Sequence, residues 1–547
     1  MKKIFTLAMM LLCVGSMMAN WQPSDTEAIR LDAEGTNGQL QMKTIRTDDG
    51  KIILSWLRGE RINNVFGYQL HLQIFDAEGN QMFGDEGIIV CDKRTHTYTT
   101  DYALKLAPNG DILLTYSDIR NDPNEEFTEA YMYRYTQDGQ PVWDADGILF
   151  PSGKTHDKAL SVEDLAPVMC VSGNNIYVAV NHTEYYMEKA NEDNWTPSPW
   201  SPNMPDSVLL NESKWLIKRI NDDGSLASEN TMELDSKIVL MEPCEGGKAY
   251  LVYDNKDLGL SAQLLDADLA NVWNDPVVIE ERPITTGLYV ATPLAEVDEY
   301  GILLLSYRVL TDFYGYQVAN FVAPDGRSAD DPVTLAGNID GDAGPSAMGV
   351  KEDRAMVAWE YAYSASEKRM NVNVVDDNNW YCWEDDLEFG FTLETNSSWG
   401  YKPVKVIPAS DGWVVLYGNC TSWNGANFMV VKIDDDGNVV WTKQICEDNF
   451  RSSGFSVVYD EQNAYIFYTQ EPNYGLADSD GGMFVMCVDI ARSASGINEV
   501  GVGDEVVSTE MFTIDGRRVS SLEDGVNIVR TTYKNGKVST AKVIHRP

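Results

Sequence analysis

An acidic residue followed seven positions later by a bulky aromatic recurs along this chain, with turn-forming residues between them. The clearest copy runs from Asp434 to Trp441 (DDDGNVVW), and the spacing returns from Asp76 to Phe83, Asp266 to Trp273 and Asp376 to Trp383. Thr136 to Trp143 keeps the aromatic and loses the acid. The stretches from Asn221 (NDDGSLAS) and Ala323 (APDGRSAD) keep Asp-Gly and lose the aromatic, and Asp489 closes a series of eight in degenerate form. Asp-Gly or Gly-Asn supplies the positive-φ positions of a tight turn. Each copy therefore predicts a β-hairpin whose first residue ends one strand and whose aromatic begins the next.

A second column runs ahead of the first. Each hairpin is preceded by an apolar run (IILSW, ILLTY, IYVAV, AYLVY, ILLLSY, AMVAW, WVVLY, AYIFY) ending at Trp56, Tyr116, Val180, Tyr253, Tyr307, Trp359, Tyr417 or Tyr468. Seven of these eight ends are aromatic, which fixes a period of about 59 residues, the size of a large propeller blade. The first unit divides into four strands: QLQMKTI, KIILSWL, GYQLHLQIFD and GIIV. The second strands are continuously apolar and predict burial on both faces. The third alternate, as in Leu70, Leu72 and Ile74 with His71 and Gln73 between, and predict one less apolar face.

An open stack of such sheets would leave exposed edges, which a ring avoids. The last unit has three strands and the N-terminal segment TEAIRLDA offers a fourth, so the fold class expected is all-β: an eight-bladed β-propeller over residues 20–492. A seven-bladed ring with one unit misassigned is the alternative.

Charge narrows the partners. Lys and Arg number 42 against 84 Asp and Glu, and a net charge of −42 repels nucleic acid and anionic membranes. The five His are scattered and read as surface or pocket-edge imidazoles; no CxxC spacing occurs, so no metal and no cofactor are expected. DDDG at Asp434 and NDDG at Asn221 do not continue into a calcium-ligand series and read as turns. Residues 1–19 follow a secretory pattern: Lys2 and Lys3, apolar Ile4 to Val14, and small residues ending at Ala19. The apolar stretch is too short to remain as a transmembrane segment. Seven Cys remain after cleavage there; buried thiols are the preferred reading, with Cys420 and Cys446 the one pair that shares a unit.

The endings Gly437 to Trp441 and Gly139 to Trp143 resemble the docking motif of pyrroloquinoline-quinone-type eight-bladed propellers, in which the Trp packs between blades. That resemblance implies the architecture alone, because the adjacent Cys-Cys pair of those dehydrogenases is missing.

One connection breaks the spacing. The two columns are 13 to 21 residues apart in seven units, but Val180 and Asn221 are 41 apart. The excess, TEYYMEKANEDNWTPSPWSPNMPDS, sets Tyr185, Tyr186, Trp195 and Trp200 among prolines and reads as a stiffened loop able to bind a glycan or protein ligand. The competing reading folds these aromatics back on the propeller's own face. No nucleophile-elbow Gly-x-Ser-x-Gly occurs, so a non-catalytic binding module is preferred to an enzyme. A secreted glycan-active hydrolase with carboxylates in the central funnel is the alternative.

After the linker at 493–496 the pattern changes. Residues 497–547 resemble the type A C-terminal sorting domain of the type IX secretion system of Bacteroidetes. The matching residues are Asp515, Gly516, Arg517 and Arg518 with Val519, the strand from Gly525 to Arg530, the Asn535-Gly536 hairpin, and a closing strand around Lys542. The resemblance implies a small β-sandwich-like domain recognised by the type IX secretion machinery. It also implies passage through the periplasm to the medium or the outer-membrane surface.

Overall fold

The computed structural model describes the chain from Trp21 to His545 except for residues 22, 25–27, 33–38, 63–64, 96–100, 123–126, 154–156, 192–193, 197–203, 228–230, 256, 282–292, 311–314, 330–331, 336–341, 365–366, 379–381, 384–390, 398–399, 421–425, 446–454, 471–481, 492–505, 514–516, 520, 522–524 and 534–537. Among the described residues, strands form nine four-stranded antiparallel sheets and no helix is long and apolar enough to cross a membrane. The segment expected to be a signal peptide lies outside them.

Eight sheets make the body. Sheet 1 begins with Gln39–Arg46, sheet 2 with Leu104–Leu106, sheet 3 with Ser161–Ser172 and sheet 4 with Lys237–Cys244. Sheets 5 to 8 begin with Leu294–Val297, Asp342–Lys351, Tyr401–Ala409 and Phe455–Tyr459. Within each, successive strands pair as neighbours. The first strands of consecutive sheets also neighbour one another, and that of sheet 8 neighbours that of sheet 1. Sheet 8 takes its fourth strand from the N-terminus, where Ile29 and Arg30 pair with Val485 and Phe484. This is the donation expected from TEAIRLDA, and the result is a propeller-like arrangement.

The core follows the same circuit. Eight apolar clusters each lie between two consecutive sheets, the last joining sheet 8 to sheet 1. Every sheet is covered on both faces, which is why the second strands carry no polar face: Ile112–Asp118 is buried at all seven positions. The aromatic ends of these strands fasten neighbours together. Tyr116 Oη donates to Tyr68 O of sheet 1 at 2.5 Å, and Tyr307 Oη to Ile279 O of sheet 4 at 3.3 Å. At the closure, Trp21 packs on Phe75 of sheet 1 at 5.5 Å and on Tyr465 of sheet 8 at 5.3 Å.

The recurrent hairpins owe their sequence to two contacts. The leading acid accepts backbone N–H groups of its own turn: Asp434 Oδ1 accepts from Asp436 N at 3.1 Å and Asn438 N at 2.7 Å, and Asp76 Oδ1 from Asn80 N at 2.7 Å. The aromatic docks on the glycine of the following hairpin. Trp143 lies over Gly224, Trp273 over Gly326 and Trp383 over Gly437, and their indole N–H groups donate to Asp222 O (2.7 Å), Pro324 O (3.1 Å) and Asp435 O (3.1 Å). Glycine is favoured there because φ is positive, and at Gly437 a Cβ would also crowd the Trp383 ring at 3.0 Å. The aromatic does not begin the fourth strand, as expected from the spacing, except at Trp441 in Val439–Ile445. Elsewhere it sits in a bend before a strand that starts later, at Ile88 or Ile148 for instance.

The less apolar face expected of the third strands is buried. His71 and Gln73 are only 1% and 2% exposed. Gln73 is satisfied by the hairpin, its Nε2 donating to Gly84 O while its Oε1 accepts from Phe83 N at 3.2 Å. Gln263 and Asn320, likewise three residues before a hairpin, act in the same way: Gln263 donates to Trp273 O at 3.2 Å, and Asn320 accepts from Ala329 N at 3.3 Å while donating to Ile279 O of sheet 4. Neither His71, which stacks on Trp56, nor His182, which is fully buried, is a surface imidazole, but His182 does line a cavity, as the pocket-edge alternative allows. Cys91, Cys170, Cys244 and Cys487 are buried free thiols; Cys446 lies outside the described residues.

The ninth sheet, in the order Arg518–Val519, Val506–Thr513, Gly525–Tyr533, Val538–His545, is the C-terminal segment.

Candidate functional site

Sheet 3 departs from its neighbours. Its second and third strands, Asn175–Lys189 and Ser207–Ile220, run 15 and 14 residues and stay in register from Ile176↔Ile220 to Lys189↔Ser207. The excess between Val180 and Asn221 is therefore mainly a lengthened hairpin, and Tyr185 and Tyr186 stand on a strand. Tyr185 packs on Phe127 at 4.5 Å and donates from Oη to Glu163 Oε2 at 3.0 Å; Tyr186 is buried. Trp195 is half-buried with its backbone N–H donating to Asn191 O, and Trp200 lies outside the described residues. Two of the four aromatics expected to line a loop are thus held by the body of sheet 3 and its neighbour.

Chemistry sits at the base of this hairpin. His182 has no exposed surface and lies between two carboxylates, with Nδ1 2.6 Å from Asp164 Oδ1 and Nε2 2.9 Å from Glu184 Oε1. Ser152 Oγ donates to the other Asp164 oxygen at 2.6 Å. Burial opposes protonation of the ring, but the hydrogen bonds to Asp164 and Glu184 outweigh it and raise the pKa above 6.5. A carboxylate only accepts, so an imidazolium donating from both nitrogens satisfies the arrangement. Glu184 then faces a cavity of about 220 Å³ whose walls are Glu212, Ser213 and Lys214 of the next strand and Asp235 beyond it. Residue alternation could have shown that HTEYYMEK is a strand, since no Gly or Pro interrupts it.

A second polar cluster lies where first strands meet. Lys405 Nζ of sheet 7 bonds Glu296 Oε1 of sheet 5 at 3.1 Å, passing over sheet 6, whose Val350 N donates to Glu296 Oε2 at 3.1 Å. Glu242 of sheet 4 is pushed up in pKa by burial; Lys105 of sheet 2 opposes that rise and Glu296 adds to it. Carboxylates from sheets 4 and 5 thus influence one another across the first strands.

Between sheets 1 and 2 a cavity of about 280 Å³ exposes Cys91, Arg120 and Tyr133 among other side chains. Arg120 is clamped, its Nε 2.9 Å from Asp118 Oδ1 and its Nη2 2.8 Å from Tyr133 Oη. Burial, and then the Asp118 charge, push the Cys91 thiol up to about 12, which removes the thiolate a nucleophile needs. This cavity holds a structural cluster.

Of the residues matched to the sorting motif, Arg517 and Arg518 are exposed, while Asp515 and Gly516 lie outside the described residues. Gly525 and Lys542 pair with His545 and Ile528 in the ninth sheet.

No family model matches the chain, and no curated protein matches it. Among solved structures, a protein of unknown function from Dyadobacter fermentans is similar at 9% identity and a TM-score of 0.36, over 84% of this chain and 97% of that one. An ulvan lyase, a polysaccharide lyase, is similar at 10% identity and 0.35, over 85% and 96%. The acylaminoacyl peptidase of Pyrococcus horikoshii is similar at 10% and 0.35, over 81% of this chain and 60% of the peptidase. At this distance none of them bears on what this chain does.

Proposed function

We propose that this chain is an eight-bladed β-propeller that acts as a non-catalytic binding module, carried to the medium or the outer-membrane surface by the type IX secretion machinery. The observation that carries the binding role is the lengthened hairpin of sheet 3. It interrupts an otherwise regular circuit and brings a buried Asp164–His182–Glu184 relay to the wall of an open cavity. Buried charges of this kind are costly to a fold and concentrate at functional sites. The blade count rests on eight four-stranded sheets with eight apolar interfaces. Glycan and protein arrays probed with the native chain and with a Trp195→Ala/Trp200→Ala double variant test the hairpin connection. Equal binding by both removes its aromatics from the site.

Export is tested by a chain ending near Arg492. The N-terminal strand already completes sheet 8, so this chain should fold and melt like the full-length protein yet stay in the periplasm of a type IX-competent host. Arrival at the surface, or loss of folding, makes the C-terminal sheet a structural part instead.

A second reading, a glycan-active hydrolase, is favoured by one observation: Glu242 has a raised pKa beside Glu296, which is held by a lysine and a backbone N–H. Carboxylates with such unequal surroundings suit an acid and its ionised counterpart. Polysaccharide hydrolysis lost in Glu242→Gln supports this reading; no hydrolysis by the native chain sinks it.

A further inference from the structure

We infer that the outer edge of the sheet 3 hairpin takes an extended segment of a partner protein as an added β-strand, apolar along its length and basic at the end nearest Asp235. This rests on the binding-module reading above and names the kind of partner. The third strand of sheet 3 is Ser207–Ile220, and the fourth, Met232–Leu234, pairs only with Trp215, Leu216 and Ile217. Residues 207–214 therefore have the second strand on one side and, among the described residues, no strand on the other. In the other seven sheets the pairing with the fourth strand reaches within three residues of the start of the third.

The groups left over are backbone donors and acceptors. Arg219 O accepts from Ala227 N on the outer side, and the pairing with the second strand runs without a bulge. Alternate residues counted back from Arg219 thus turn N–H and C=O outward, and beyond the fourth strand these are Ser213, Asn211, Leu209 and Ser207. All four are exposed. An open edge of this kind is a template for another strand, and folded proteins blunt one with a proline, a bulge or a covering segment. No proline and no bulge interrupts residues 207–214.

The side chains beside the edge select the occupant. On one face Leu209, 53% exposed, stands directly opposite Met187, 43% exposed; on the other Val208 and Leu210 are half-buried. Glu212 shares the face of Val208 and Leu210 and is exposed where the edge meets the end of the fourth strand. There it and Asp235 wall the cavity of about 220 Å³, and Lys214 Nζ is held by Glu233 Oε2 at 2.9 Å. An antiparallel strand entering at Asp235 sets a basic residue against Glu212 and apolar residues against Leu210, Leu209 and Val208. A second copy of the chain fits less well, because two bodies each carrying −42 repel.

The test is fluorescence anisotropy of a labelled Lys-Thr-Val-Ile-Val-Thr peptide titrated with the full chain. With its Lys against Glu212, the peptide turns the amides of the first Thr and of Ile toward the edge and both Val amides toward solvent. Methylating the first pair of amide nitrogens should weaken binding about ten-fold or more, while methylating the Val pair should leave it unchanged. Asn211→Pro deletes an outward N–H and none that pairs within the hairpin, so it should weaken binding while the chain still unfolds cooperatively. Glu212→Lys should reject this peptide and accept its Glu-for-Lys counterpart, which tests the inference even if Asn211→Pro fails to fold. Failure of the peptide to bind, or equal effects of the two methylation patterns, overturns the inference. Self-association of the native chain in sedimentation, abolished by Asn211→Pro, also overturns it by giving the edge to a second copy. A glycan from the arrays that binds Asn211→Pro and the native chain alike overturns it too, and leaves the binding module standing.

Discussion

Replacing Trp21 by alanine should open the ring at its seam. This indole is only 8% exposed and lies among Phe75 of sheet 1 and Tyr465 and Phe467 of sheet 8, with centroid separations of 5.5, 5.3 and 6.3 Å. Truncating a buried aromatic typically costs about 3–5 kcal/mol. The lower end applies because the strand behind it stays anchored by Ser24 N donating to Cys487 O and Leu31 N donating to Met483 O. We therefore expect a loss of about 3 kcal/mol. The indole N–H has no acceptor among the described residues, so Trp21→Phe forfeits none of the bonds described and should cost less than about 1.5 kcal/mol. Guanidinium unfolding followed by far-UV circular dichroism measures both. Limited proteolysis should cut Trp21→Ala first in sheet 8 or sheet 1. A Trp21→Ala loss under about 1 kcal/mol, or equal losses for both variants, would show that the seam is held elsewhere. Cleavage after Ala19, the proposed processing site, would leave Trp21 as the second residue. Processing beyond Trp21 should reproduce the alanine phenotype.

Other outcomes follow from the same contacts. Asp434→Ala removes the acceptor of two turn N–H groups and should cost about 1 kcal/mol in equilibrium unfolding, whereas Asp434→Asn should cost less. Gly139→Ala puts a methyl 2.4 Å from Phe83 Cζ at a φ of +72°, and should cost about 2 kcal/mol in the same assay. The His182 pKa is raised on folding, so its stabilisation is complete below about 6.5 and is lost as pH rises through the folded value. The stability difference between the native chain and His182→Gln should therefore shrink from pH 6 to pH 9. A difference that grows would mean that the ring is neutral in the fold. Cys91, with its thiol near 12, should resist iodoacetamide at pH 8 until the chain is unfolded, which mass spectrometry of the alkylated peptide would show.

The hairpin repeat was legible because its requirements are local. A carboxylate that caps its own turn and a glycine at positive φ act within five residues, so Asp434 and Gly437 declare themselves in any window that contains them. The seam was legible for a topological reason, since a unit with three strands needs a fourth. Tyr185 and Tyr186 were misread because excess length between two columns looks the same whether it forms a loop or prolongs a hairpin. The alternation that separates the two cases runs across LLNESKW, where burial changes from exposed to complete within one strand. The burial of the third strands' polar residues was not legible for a related reason: Gln73 and Gln263 are buried beside a hairpin whose backbone they satisfy, and composition registers only their polarity.

The interior of the ring was hidden by something stricter than distance. The first strands change register partway along in five sheets: between Leu40 and Lys43, Leu165 and Val168, Ile238 and Leu240, Ala343 and Ser346, and Pro403 and Lys405. A bulge inserts one residue and reverses which side chains after it face the axis. Counting by twos from the start of Lys237–Cys244 therefore gives the wrong face for Glu242, and the same count misplaces Lys405. These bulges bend each first strand where the sheets crowd together, so the feature that lets eight sheets meet is also what re-aims their charged residues. Any functional reading of the axis depends on where each bulge falls. The hairpin of sheet 3 is free of this difficulty: beyond the bulge its pairing runs unbroken from Ile176 to Lys189, and Glu184 stays opposite Glu212 whatever happens at the centre.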